Sequence, residues 1–133
     1  MRNKAIALLA CREHSRFELK QKLELREFEN DAIEKLLDDL EIKNLLSDQR
    51  FAEMYVRNRK NAGYGPKKII AELQVRGIAD HLISSVIDEN SETWRNNMIV
   101  TAAKKHANKE QLFRFLLHRG YSSEVINQWL RII

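Results

Sequence analysis

One proline and four glycines are all that 133 residues contain. Many short strands joined by tight turns would need more of both, so a mostly helical chain is predicted. There is a single cysteine, Cys11. It cannot form an internal disulfide, which fits a reducing, cytoplasmic setting. No apolar run approaches the roughly 18 residues of a bilayer span, so no membrane association is expected. The opening "MRNKAIALLACREHS" has a short apolar patch behind basic residues but no cleavage region. Ala5, Leu8, Leu9 and the stem of Arg12 fall on one helical stripe, and the segment reads as a helix rather than a signal peptide.

Recognisable chemistry is also scarce. "GYG" at 63–65 lacks the spacing of either phosphate-binding glycine fingerprint. Cys11 and His14 stand three apart and could chelate a metal weakly, but no second pair completes a site. His81, His106 and His118 are scattered and read as solvated or partner-facing. Asp38 and Asp39 are adjacent, so they point to different sides of a helix and do not make an acid–base pair. No catalytic residue, cofactor or metal is expected.

What is present is a repeat. "HSRFELKQKLELREFENDAIEKLL" (14–37), "YGPKKIIAELQVRGIADHLISSVI" (64–87) and "ANKEQLFRFLLHRGYSSEVINQWL" (107–130) align without a gap. Ser15, Gly65 and Asn108 coincide, each a type that caps a helix N-terminus. Ser15 has Glu18 three residues on, a capping box; Gly65 is followed by Pro66, suited to a first helical position. Leu19, Ile69 and Leu112 come next, then Leu23, Leu73 and Leu116, an i, i+4 pair on one face. Arg26-Glu27-Phe28, Arg76-Gly77-Ile78 and Arg119-Gly120-Tyr121 follow. Glycine there ends a helix in a left-handed conformation, so Glu27 must make the first turn by a costlier route. Asn30, Asp80 and Ser123 read as a second set of N-caps. The next helix aligns Ala32, Leu82 and Val125, then Ile33, Ile83 and Ile126, and ends at Leu36-Leu37, Val86-Ile87 and Trp129-Leu130.

An amphipathic segment precedes each copy, at 1–12, 50–59 and 94–106, and Ser47 with Asp48 opens the second. The predicted fold is therefore all-α: three tandem three-helix repeats, about nine helices, in an elongated, curved modular array with boundaries at 1–46, 47–91 and 92–133.

Charge follows the repeat. Residues 1–28 carry seven Lys and Arg against four Asp and Glu, and 29–49 two against seven. Residues 50–76 carry seven against two, 77–93 none against four, and 94–119 six against one. The first two helices of each unit are basic, and the third is acidic in two units. A solvated helix face explains any one lysine, but the recurrence points to a surface that tracks an anion, such as phosphates or an acidic protein groove. The densest run, "RNRKNAGYGPKK", holds Arg57, Arg59, Lys60, Lys67 and Lys68. Arg16, Lys20 and Arg114 extend it on the second helices of the flanking units. Tyr64 within that run could stack on a base or pack against the next helix.

These residues also carry a family likeness. Ser15, Glu18, Leu19, Lys22 and Leu23, preceded by Arg12-Glu13-His14, match a first-repeat pattern. Asp48, Arg50, Phe51, Ala52, Tyr55, Arg59, Gly63, Gly65, Pro66, Ile69, Glu72, Leu73, Gly77 and Ile78 match a second. "RFLLHRGY" at 114–121 resembles a third. Over nearly its whole length the chain resembles the RecX family of bacterial regulators of the RecA recombinase. The resemblance implies a modular, non-catalytic helical protein that binds RecA and RecA–DNA filaments, lying in the filament groove. It implies restraint of filament growth, ATP hydrolysis, strand exchange and SOS-repressor cleavage. Weak direct DNA binding and a monomeric state are separate expectations. Unlike many members, the sequence starts directly in the first helix, and Glu27 replaces the usual glycine.

Two other classes fit less well. A tandem helix-turn-helix DNA reader would present the third helix of a unit, yet "NDAIEKLLDDLE" and "DHLISSVIDEN" are acidic and phosphates would repel them. A generic adaptor for an acidic protein shares every feature except the family motifs.

Overall fold

The structure, a computed structural model, describes residues Met1–Ile133. It has nine helices and no strand. They are α1 (Arg2–Cys11), α2 (Arg16–Glu24), α3 (Asn30–Ile42), α4 (Asp48–Asn61), α5 (Pro66–Val75), α6 (Asp80–Val86), α7 (Glu92–Ala103), α8 (Lys109–Arg119) and α9 (Ser123–Ile132). The boundaries read at 46 and 91 fall in the α3–α4 and α6–α7 connections.

Contacts divide the residues into two compact units. One comprises Met1–Met54 with Leu73–Ile83, the other Tyr55–Glu72 with Ser84–Ile133. In the first, α2 packs on α3. Ile33, Leu36, Leu37 and Leu40 make an i, i+3, i+4, i+7 stripe on α3 and close over Ala5, Leu19, Leu23 and Leu46. Leu8 and Leu9 of the amino-terminal helix lie against that cluster. In the second unit α8 packs on α7 and α9. Ile69, Met98, Leu116 and Ile126 are wholly buried there. The aligned positions agree across copies: Leu23, Leu73 and Leu116 have no exposed surface, and Ile33, Ile83 and Ile126 are all buried.

The helix starts follow the capping logic with one correction. Ser15 Oγ accepts the Glu18 amide while the Ser15 amide donates to the Glu18 carboxylate. Asn108 and Gln111 form the same reciprocal box, and Ser47 Oγ accepts the Arg50 amide. But Asn30, Asp80 and Ser123 are first helical residues, not caps. The cap of α9 is Ser122, whose hydroxyl accepts from the Val125 amide, and that of α3 is Glu29, with no side-chain bond. The alignment was one residue late because two polar residues stand together in "SS" and "EN", and only the extended one caps.

The turns agree. Gly77 and Gly120 have φ of 77° and 101°, and Glu27 takes φ of 61° without being glycine. A left-handed conformation costs an L-residue about 1–2 kcal/mol. Glu27→Gly should therefore raise stability by about 0.5–1 kcal/mol, after allowing for the greater unfolded freedom of glycine. A thermal melt checks it; an unchanged or lower melting temperature would mean that Glu27 gains something in place that offsets its strain.

Candidate partner-binding surface

The two units differ in net charge. The first holds eleven Lys and Arg against thirteen Asp and Glu, the second twelve against six. They differ more in how those charges are met.

In the first unit cations meet carboxylates. Arg16 is ion-paired with Glu34 (2.7 Å), Asp38 (2.9 Å) and Glu41. Burial disfavours its charge, yet those carboxylates outweigh it and the guanidinium is held above its usual value. The backbone amide of Arg16 donates to Asp48 (2.8 Å), whose carboxyl is pushed up by burial. Lys20 pairs with Glu34 at 2.6 Å, Arg2 with Asp39 at 2.6 Å, and Arg50 with Glu13 at 2.9 Å. The acidic third helix is thus the counter-charge of the basic second helix beside it. This is also why Asp38 and Asp39 point apart: one faces Arg16, the other Arg2.

His14 belongs to this unit and is almost fully buried. Its Nε2 lies 2.8 Å from the Lys22 ammonium, which can only donate, so Nε2 accepts. The proton then sits on Nδ1 and is donated to the Arg12 carbonyl at 3.1 Å. With both nitrogens engaged and Cys11 exposed, the two do not form a metal pair. Burial, helped by Arg12 and Lys22, holds the imidazole below its ordinary pKa of 6.5. The unfolded chain therefore binds the proton first, so stability contributed by neutral His14 is full above pH 6.5 and lost as pH falls below it. The melting temperature should drop between pH 7.5 and 5.5, above the range where Glu18 and Glu34 titrate, and His14→Gln should flatten that drop.

In the second unit most cations have no carboxylate. Arg59 is one exception, paired with Glu72 at 2.8 Å, a contact that raises its pKa. Its guanidinium also lies 3.7 Å from the centre of the Tyr64 ring. Arg119 approaches the same ring at 4.5 Å and Lys68 at 5.3 Å. Three cations from α4, α5 and α8 are thereby gathered on one aromatic, an attraction worth about 0.5–2 kcal/mol each. Tyr64 serves as their hub, with guanidinium groups where a base would stack. Lys60 donates to Thr93 Oγ1 (2.7 Å) and lies over Trp94, and burial lowers its pKa. Arg57 and Lys67 are exposed. Arg114 is exposed and 3.9 Å from Glu110, at the limit of an ion pair.

The hub is held by hydrogen bonds within the unit. Gly65 N–H donates to the Arg119 carbonyl (2.7 Å) and Lys67 N–H to that of Gly120 (3.0 Å). The unsatisfied amides at the start of α5 so meet the unsatisfied carbonyls at the end of α8. Arg119 donates to the Ala62 carbonyl, and the Tyr121 hydroxyl donates to that of Gly63 while accepting from Asn97.

Of the residues singled out in the sequence, Arg57, Arg59, Lys60, Lys67, Lys68 and Arg114 thus fall in the second unit and Arg16 and Lys20 in the first. Sequence reasoning missed Arg119, which stood in the alignment only as a turn residue, within a stretch that also holds Lys104 and Lys105. The excess of basic residues over 94–119 was their signal.

The comparisons with known proteins bear on what these units are. Residues 2–40 match the model of the RecX first three-helix domain, and 47–87 that of the RecX second three-helix domain. The chain is 37% identical to the Regulatory protein RecX of Ectopseudomonas mendocina, over 98% of this chain and 93% of that one. The chain belongs to the RecX family. A Legionella pneumophila RecX is 35% identical over 93% of this chain and 88% of its own. The crystal structure of RecX from Lactobacillus salivarius superposes with a TM-score of 0.83 at 25% identity, covering 99% and 95% of the two chains. RecX relatives are regulatory proteins by name, and this chain shares their helical-repeat fold. None of its helices is long and apolar enough to cross a membrane.

Proposed function

We propose that this RecX-family chain is a non-catalytic regulator that binds RecA and RecA–DNA filaments and restrains filament growth, ATP hydrolysis, strand exchange and repressor cleavage. The observation that carries the reading is the sorting of charge. Arg2, Arg12, Arg16, Lys20, Lys43 and Arg50 of the first unit pair with its own carboxylates, while Arg57, Lys67 and Lys68 of the second are left for an external anion. The binding surface then consists of Arg57, Arg59, Lys60, Lys67, Lys68 and Arg114, joined by Arg119. Arg16 and Lys20 join only by releasing Glu34, Asp38 and Glu41. The three-domain division at 46 and 91 is part of the same proposal, with the second and third domains supplying the contacts.

Exposed cations act through a medium that screens over about 8 Å at physiological salt. Inhibition of RecA's ATPase on single-stranded DNA should therefore weaken steadily as salt rises. The measurement is ATP hydrolysis titrated with this protein across a salt series. No inhibition at any salt would overturn the reading, and inhibition indifferent to salt would overturn its electrostatic basis.

A further inference from the structure

A cleft of about 310 Å³ opens in the second unit between α7, α8 and residues 61–63. We propose that it binds the phosphates of a nucleotide, with the planar base laid on its apolar wall.

Lys104, Lys105 and Arg119 line this cleft, and no Asp or Glu does. Neither lysine is ion-paired. Lys104 and Lys105 follow the last turn of α7, so part of their charge answers that helix end. But a helix end carries only about half a negative charge, against three positive ones here.

The cations are also brought together rather than spread. Lys105 lies 4.3 Å and Arg119 4.9 Å from the centre of the Phe115 ring. Two like charges held on one aromatic repel, and an anion seated between them removes that repulsion. Closely spaced phosphate oxygens suit two ammonium groups and a guanidinium. The lining also has an apolar wall at Val100, more than half exposed. A wall of that kind in a cleft lined by cations fits a ligand with a flat body and a phosphate tail, and the volume is at the lower end of small-molecule sites.

The floor holds the shape. Gly63 sits there with φ of 93°, and a Cβ on it would stand 3.0 Å from Thr101 and 3.2 Å from Arg119. Thr101 is tied to the Asn97 carbonyl and Arg119 to that of Ala62.

The phosphates could belong to a free nucleotide or to a nucleic-acid strand, and the test separates the two. The full chain alone, without RecA, is titrated into mant-ATP and, separately, into a labelled oligothymidylate, with tripolyphosphate as competitor. Because RecA is absent, the result does not depend on the proposed regulatory role. Saturable binding displaced by tripolyphosphate is expected. Lys104→Gln with Lys105→Gln should weaken it roughly tenfold, the worth of about one charge-assisted contact. Lys4→Gln with Lys35→Gln, an equal change of charge in the other unit, should leave it unchanged. Loss with mant-ATP identifies the free nucleotide, and loss with the oligothymidylate alone identifies the strand; either upholds the site. No saturable binding of either probe, or equal weakening in both double variants, overturns it.

Discussion

Gly120→Ala should destabilise the protein by about 3–6 kcal/mol. Three costs combine. Alanine at φ of 101° is strained. Its Cβ would lie 2.5 Å from Lys68 Cβ and 2.6 Å from the Lys68 amide nitrogen. Relieving that overlap pulls α5 away from α8 and breaks the bonds from Gly65 and Lys67 to the Arg119 and Gly120 carbonyls. Natural domains of this size have roughly 5–15 kcal/mol in all, so a fall in melting temperature of roughly 10–30 °C is expected. Gly65→Ala isolates one of the causes. Its backbone is not in the left-handed region, yet a Cβ there meets the Gly120 carbonyl carbon and oxygen at 2.6 Å. Only close approach of backbone to backbone is tested, and about 2–4 kcal/mol should be lost. A Gly65→Ala protein that melts like wild type would show that the 63–65 loop is not seated on the end of α8.

That contact explains what the repeat alignment did and did not disclose. Local features were legible because a helix turn is decided within a few residues. Ser15 and Glu18 cap as read, and Gly77 and Gly120 turn left-handed as read. Even Glu27, which breaks the pattern, adopts the pattern's geometry. The caps of α3 and α9 were displaced by one residue because polar neighbours compete for a position that only backbone angle decides. The pairing of charges was not legible. Arg16 meets Glu41 25 residues on, and Arg119 meets Ala62 57 residues back. Charge counting ranked Arg16 beside Lys67 as a candidate contact. Folding gives one three carboxylates and leaves the other exposed. Gly65 was legible as a helix cap, and its need for space appears only when α8 is brought against it.

The charge reversal Arg57→Glu with Lys67→Glu should lower inhibition of RecA's ATPase by on the order of tenfold or more near 0.1 M salt. Both side chains are exposed and neither is ion-paired, so the melt should move by no more than about 0.5 kcal/mol. The backbone bond of Lys67 to Gly120 does not depend on its side chain. Arg16→Ala with Lys20→Ala should behave in the opposite way. It removes the counter-charge of Glu34, Asp38 and Glu41, so the melting temperature should fall, though modestly because these groups are substantially exposed. Inhibition should change little, since those cations are already occupied. The two variants together separate fold from function. If the Arg16/Lys20 protein loses inhibition while the Arg57/Lys67 protein keeps it, the first unit carries the contact, and RecA must then supply acidic groups that compete with Glu34, Asp38 and Glu41 for the same guanidinium and ammonium.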